Sequence, residues 1–153
     1  MRMWKAARTV IFDEEGKTAI IDVRDGEYYK IPGGGINPGE EKREAAHREA
    51  KEEAGCDIKI VSKIGDYEFI GPNKRVYRSD CYLAKKIKDN KELNFNDWEK
   101  SNRFKLIWVD PEEAIKLFKS SKTDDVFGKD INKRDLNFFK KGWKKYEGAG
   151  IKK

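Results

Sequence analysis

Apolar residues in this chain fall into short runs cut by charged turns, and the spacing within each run separates strand from helix. Trp4 to Asp13 is rich in β-branched and apolar residues, Thr9-Val10-Ile11-Phe12 above all, and predicts a strand. Asp13-Glu14-Glu15-Gly16 turns the chain into a second strand from Thr18 to Arg24, giving a hairpin, and Asp25-Gly26 turns it again. Tyr28 to Ile31 is a short extended piece, held away from helix by Pro32. Gly33-Gly34-Gly35 and Asn37-Pro38-Gly39 then predict a loop. From about Glu41 to Ala54 the apolar positions Ala46, Ala50 and Ala54 recur every four residues, which is a helix face of small residues, and Gly55 is its stop.

Downstream, Ile58 to Ile64 and Asp66 to Ile70 read as strands, Gly71-Pro72-Asn73 as a turn, and Arg75 to Ala84 as another strand. Lys85 to Lys105 is charged and predicts a loop with a partly ordered segment around Phe95 and Trp98. Leu106 to Val109 is a strand. Asp110 as N-cap and Pro111 at the first helical position open a helix to about Lys119. A last helix over about 133–146 puts Leu136, Phe139, Trp143 and Tyr146 on one face. Sheet segments alternating with helices predict an α/β sandwich in a single domain spanning residues 1–153.

Composition changes this picture little. Charged residues make up 41% of the chain, but the aromatics and the apolar runs argue against disorder. No uncharged apolar span is long enough for a transmembrane helix. Arg8 interrupts the N-terminal apolar stretch, so a signal peptide is not expected. Cys56 and Cys81 fall in core-like segments and read as free thiols of a cytoplasmic protein. The net charge of +6 is uneven: Lys129 to Lys153 holds nine Lys or Arg against three Asp or Glu, which leaves the rest balanced. The basic end fits a solvated helix face, and also a contact with phosphates.

The candidate chemistry lies between Gly34 and Cys56. On the helix predicted there, Glu49 and Glu53 are one turn apart and Glu52 lies beside them. Three crowded carboxylates repel unless a cation sits among them, and hard oxygen donors without Cys or His favour Mg²⁺, with Mn²⁺ possible. His47 is the only histidine, which removes a zinc site or a Ser-His-Asp triad. Arg48 is placed to bridge Glu44 and Glu52. By spacing alone the same residues also fit an ordinary Glu–Arg–Glu ladder on a wet face, worth about 0.2–0.5 kcal/mol per pair. The adjacent glycines tip the balance, because they let backbone N–H and C=O groups approach a phosphate closely.

The spaced skeleton Gly34, Glu40, Arg48-Glu49, Glu52-Glu53 and Gly55 resembles the Nudix box. Ala50 and Cys56 fill its two aliphatic positions as small packing variants. The resemblance implies a Nudix-type α/β/α sandwich with a mixed sheet. It also implies metal-dependent hydrolysis of a pyrophosphate bond in a nucleoside di- or triphosphate or a derivative such as a nucleotide sugar or ADP-ribose. It assigns Glu49, Glu52 and Glu53 to metal and catalysis, with Arg48 and Glu40 orienting them and the backbone of Gly33 or Gly34 completing the coordination. Arg24, Gly34 and Gly35 would meet the substrate, and Glu99, or after it Asp97, would add a metal ligand. Tyr28, Tyr29, Tyr67, Phe69, Tyr77 and Phe127 are candidates for stacking on a base. The long specificity patterns for NADH or coenzyme A are not evident. The expected partner is a small nucleotide, with no membrane. An RNA 5′ end held by the basic helix is the alternative, and a non-catalytic nucleotide-binding module is a further one, although such a module is expected to lose carboxylates that this chain keeps.

Overall fold

The computed structural model describes residues 3–90 and 92–150. The ends of the expected 1–153 domain, with Lys152 and Lys153 of the basic tail, lie outside the described residues. Seven strands form one mixed sheet in the order β3-β2-β1-β6-β5, with β4 paired to β1 and β7 to β2. The strands are β1 (Met3–Phe12), β2 (Thr18–Val23), β3 (Tyr28–Lys30), β4 (Gly33–Gly35), β5 (Cys56–Ile70), β6 (Val76–Asp89) and β7 (Lys105–Val109). Only β1 and β6 run parallel among these pairs. The helices are α1 (Lys42–Ala54), α2 (Asp97–Ser101), α3 (Pro111–Lys119) and α4 (Val126–Gly148).

Strand β1 is buried on both faces, which is why it reads as a continuous apolar run. Its alternation sorts the core into two layers. Val10 and Phe12 pack with Phe138 and Phe139 of α4 and Phe118 of α3. Ile11 packs with Ala50 and Ala54 of α1, and Ala7 with Ala45 and Ala46. The small residues of α1 let it lie close on the sheet, as the alanine stripe predicts. Cys56 and Cys81 are free and buried, and Cys56 fills its box position as apolar packing beside Ala50. Among the described residues, no helix is long and apolar enough to cross a membrane.

Four expectations shift. The two strands expected over 58–64 and 66–70 are one 15-residue strand whose register slips at three places, including Lys63/Gly65. Bulges absorb the breaks in alternation that suggested two elements. Strand β6 continues to Asp89 instead of ending at Ala84, because backbone pairing of Lys85 to Asp89 with Cys56 to Lys59 carries a charged stretch that has no apolar signature. The glycine loop is partly a strand, with Gly33, Gly34 and Gly35 opposite Arg8, Ala7 and Ala6. Helix α4 begins at Val126, not near residue 133, capped by the Asp125 side chain, which accepts from Phe127 N at 3.2 Å.

Polar side chains of the early turns of α4, Asn132 in the second and Asp135 in the third, are buried against β3. Asn132 Oδ1 accepts from Tyr29 N at 2.9 Å, and Asn132 Nδ2 donates to the Phe118 carbonyl at 2.9 Å. Asp135 Oδ2 accepts from Ile31 N at 3.0 Å. Strand β3 has only β2 beside it, so these side chains satisfy backbone donors that would otherwise be stranded.

Candidate active site

Helix α1 presents its acidic face to β4. Glu53 is fully buried. Its Oε1 accepts from Lys30 Nζ at 2.9 Å and from Gly33 N at 3.1 Å. Its Oε2 is buried and has no hydrogen-bond partner while the neighbouring Glu99 is ionised. Glu49, also buried, sits against Gly34 so closely that a Cβ there would come within 2.5 Å of Glu49 Oε2. Gly33 has φ +154°, and a Cβ there would fall 2.6 Å from the Ala7 carbonyl. Both positions therefore require glycine, one for backbone conformation and the other for the approach of a carboxylate.

Arg48 ties the cluster together. Its Nε and Nη2 donate to the two oxygens of Glu40 at 2.8 and 3.0 Å, and Nη2 also reaches the Gly35 carbonyl at 2.8 Å. Nη1 donates to Glu49 Oε2 at 3.0 Å and to Glu52 Oε1 at 3.1 Å. This is a five-bond fork that a lysine cannot copy. The expected bridge to Glu44 is not made. That carboxylate instead accepts from Glu41 N at 2.8 Å at the start of α1.

Electrostatics mark the cluster as short of positive charge. Burial, followed by the charge of Glu53, pushes the Glu49 carboxyl up to about 7. Burial, followed by hydrogen bonding and repulsion with Glu53, pushes Glu99 up to about 8. Glu99 is half-buried on α2, where its Oε1 accepts from Asn96 N at 2.8 Å. Asp97, the other candidate, is exposed. Arg48 between Glu49 and Glu52, and Lys30 on Glu53, hold the carboxylates in place. Among the described residues no group of three or more His, Cys, Asp or Glu side chains is already arranged to hold a metal ion. An all-oxygen donor set, an unpartnered buried carboxylate oxygen and two raised carboxyl pKa values fit a hard divalent cation.

Glu49 and Glu99 stand between two recesses. One, about 300 Å³, is acidic and bordered by Arg48, Glu52, Asn94 and Asn96. The other is a cavity of about 400 Å³ reaching to α4. Its cations are Arg8, Lys30, Arg75 and Arg134, and its walls carry Trp4, Tyr28, Tyr77, Trp98, Phe104 and Phe127. Of the aromatics expected to meet a base, Tyr28, Tyr77 and Phe127 line it. Tyr29 and Tyr67 pack in the core, and Phe69 stacks behind Tyr77 at 5.4 Å. His47 is exposed on α1, as expected.

The structure brings Gly33, Gly34, Gly35, Arg48, Glu49, Glu52, Glu53 and Glu99 together. It does not bring Arg24 to the cavity. Arg24 Nε donates to Glu27 Oε1 at 3.1 Å, its Nη1 is held by Asn102 Oδ1, and its guanidinium lies over the outer side of the Tyr28 ring at 5.4 Å. Arg8, Lys30, Arg75 and Arg134 are the cavity cations that the motif does not contain. For two of them the signal in the sequence is a charge embedded in an otherwise apolar run, Arg8 in β1 and Lys30 between Tyr29 and Ile31, whereas Arg75 and Arg134 sit in polar stretches without such a mark.

A helix of carboxylates laid against a glycine strand, inside a mixed sheet with helices on both faces, defines a Nudix-type α/β/α sandwich. A family model described as the NUDIX domain matches residues 3–130, and the chain belongs to that family. Among curated proteins it is similar to the putative 8-oxo-dGTP diphosphatase YtkD of Bacillus subtilis (strain 168), at 36% identity over 67 residues, or 44% of this chain and 42% of the relative. It is also similar to human diphosphoinositol polyphosphate phosphohydrolase 3-beta, at 32% identity over 123 residues, covering 77% of this chain and 71% of the relative. The match to the Bacillus relative thus spans less than half the length of that protein. A NUDIX hydrolase from Nitrosomonas europaea shares the fold at TM-score 0.65 and 16% identity, over 89% of each chain. A MutT protein from Methanosarcina mazei Go1 does so at 0.59 and 17%, over 89% of this chain and 94% of that one.

Proposed function

We propose that this chain hydrolyses a pyrophosphate bond in a nucleoside di- or triphosphate or a nucleoside diphosphate derivative, with Mg²⁺ or Mn²⁺ as the working ion. The observation that carries this reading is the junction at Glu49 and Glu99. On one side is an acidic recess bordered by Glu49, Glu52 and Glu99, and on the other a cavity lined by cations and aromatic rings. Glu49, Glu52, Glu53 and Glu99, with the Gly33 carbonyl, would hold the divalent ion. When bound, such an ion neutralises phosphate charge and lowers the pKa of a water.

The chain's own groups do the rest. Arg48 fixes the rotamers of Glu49 and Glu52 through its fork, so neither carboxylate must reorganise when charge changes around it. Gly33 and Gly34 let the diphosphate lie against backbone. A carboxylate at the junction of the two recesses accepts the proton of the attacking water. The aromatic walls give a base or another flat group a surface to stack on, and the cations around them draw in an anion.

The name of the phosphohydrolase relative, together with four cations in the cavity, favours a second substrate, a diphosphorylated inositol polyphosphate. The exposed lysines of the basic helix, Lys140, Lys141, Lys144 and Lys145, with which it would hold an RNA 5′ end, lie toward the C-terminal end of α4, beyond the stretch of that helix that borders the cavity. The test is a panel of nucleoside triphosphates, ADP-ribose, nucleotide sugars, a diphosphoinositol polyphosphate and 5′-triphosphorylated RNA, each with Mg²⁺, read by phosphate and pyrophosphate release. No turnover of any member would overturn the reading. Preference for the inositol or RNA member would replace the nucleotide.

A further inference from the structure

We propose that Arg8 is an anchor for the substrate's phosphate, gripping it through Nη1 from the α4-facing side of the sheet; the inference rests on the hydrolase reading of the same site. The argument starts from an imbalance of charge. Arg8 is 4% exposed. It lies on the central strand, with Val10 and Phe12 following it on the same face. Its Nε donates to Ser79 Oγ at 3.0 Å. Its Nη1 is buried with no hydrogen-bond partner, and among the described residues no carboxylate forms an ion pair with it.

The carboxylates nearby feel its charge but make their ion pairs and hydrogen bonds with other groups. Both oxygens of Asp135 serve Arg134, and one also serves Ile31 N. Glu53 Oε1 serves Lys30 and Gly33 N. Glu49 serves Arg48. A buried cation without a counter-charge is costly, and a fold that keeps one must recover the cost elsewhere. Arg134 beside it makes the imbalance worse, since the two guanidiniums repel.

The position of the side chain identifies what can supply the missing charge. Arg8 lines the 400 Å³ cavity. It also passes directly beside Gly33, whose added Cβ would meet Arg8 Cγ at 2.6 Å. The guanidinium therefore borders the glycine strand that the diphosphate must lie against. A planar fork with a free N–H matches a phosphate oxygen better than a point charge does. Anchoring from this side would leave the α1 carboxylates to the metal and divide the work between two walls of one site.

The test is run on metal-free protein in EDTA, with inorganic pyrophosphate as the probe and adenosine as the uncharged control, both measured by titration calorimetry. Arg8→Gln should weaken pyrophosphate binding at least about tenfold and leave adenosine unchanged. Arg8→Lys should fall between the two. Circular dichroism establishes that each variant folds. Independently of any variant, the Arg8 Nε–Hε resonance of ¹⁵N-labelled wild-type protein should shift as pyrophosphate is added. Wild-type affinity for pyrophosphate in Arg8→Gln, absence of pyrophosphate binding by the wild type, or an unmoved Arg8 resonance would each overturn the inference. None of these readouts involves turnover, so they separate it from the hydrolase reading, which stands or falls on the substrate panel.

Discussion

Helices α1 and α4 both bury charge against the sheet, and they do so in opposite ways. In α4 the Arg134–Asp135 pair is closed. Both Asp135 oxygens are used, Arg134 is matched by its neighbour at 2.6 Å, and the second oxygen also holds a strand N–H. In α1 the acidic cluster is open. One Glu53 oxygen has no partner, and the carboxyls of Glu49 and Glu99 are pushed far above the usual carboxylate range. Saturated buried charge fixes structure, whereas unsaturated buried charge waits for a ligand. The comparison thus separates groups that hold the fold from the groups proposed to do its chemistry.

The strongest way to break this contrast is to open the closed pair. Asp135→Asn leaves Arg134 unmatched in the core and should cost about 3–5 kcal/mol of stability, read by urea denaturation, with no rescue by Mg²⁺. A loss below about 1 kcal/mol would show that the pair is not structural. The converse change in α1 should split stability from activity. Glu53→Gln relieves repulsion with Glu49 and Glu99 but unpairs Lys30, so the metal-free melting temperature should fall less than in Asp135→Asn while turnover of the best substrate falls ~100-fold or more. Unchanged turnover would sink the assignment of the acidic face.

A finer contrast lies in Arg48. Arg48→Lys keeps the charge but loses the fork to Glu40, Glu49, Glu52 and the Gly35 carbonyl. The Mg²⁺ concentration for half-maximal rate should rise about tenfold with KM for substrate unchanged. A raised KM with normal Mg²⁺ dependence would make Arg48 a substrate residue instead.

The smallest effect is one of pH. Glu49 and Glu99 have folded pKa values of about 7 and about 8, above the ordinary 4.5. The folded state therefore binds protons that the unfolded state has released. The stabilisation this gives is complete below the ordinary value and is lost as pH rises to about 8. Metal-free protein in EDTA should melt at progressively lower temperature between pH 5 and 8, and Mg²⁺ should restore more at pH 8 than at pH 5. Glu99→Gln should flatten the slope. A flat metal-free profile in the wild type would remove the case for an under-neutralised cluster.

The site was legible where a helix period met fixed chemistry. Glu49, Glu52, Glu53 and Arg48 could be placed because i, i+4 spacing on a short alanine-faced helix determines which side chains meet. Glu99 could be picked out although its helix, α2, lay in a stretch read as loop. The pairing of charged β6 residues with β5 was not legible, since backbone hydrogen bonds leave no mark on composition. The start of α4 was hidden for a related reason. Asn132 and Asp135 look like a solvated face until Tyr29 N and Ile31 N supply the donors they bind. Arg24 misled because proximity in sequence to the glycine segment does not fix the direction of a strand-end side chain. Lys30 and Arg8 were visible only as charges out of place.

The hold of α4 on β3 has a consequence for the growing polypeptide. Until residues 132–135 have been synthesised and docked, Tyr29 and Ile31 keep their N–H groups open along the sheet margin, where a neighbouring chain could add a strand. The same segment leads through Pro32 into Gly33. One late docking event therefore closes the route to intermolecular sheet growth and sets the glycine strand in register. A nascent chain lacking its last helix would be both adhesive and catalytically unformed, and completing that helix ends both conditions together.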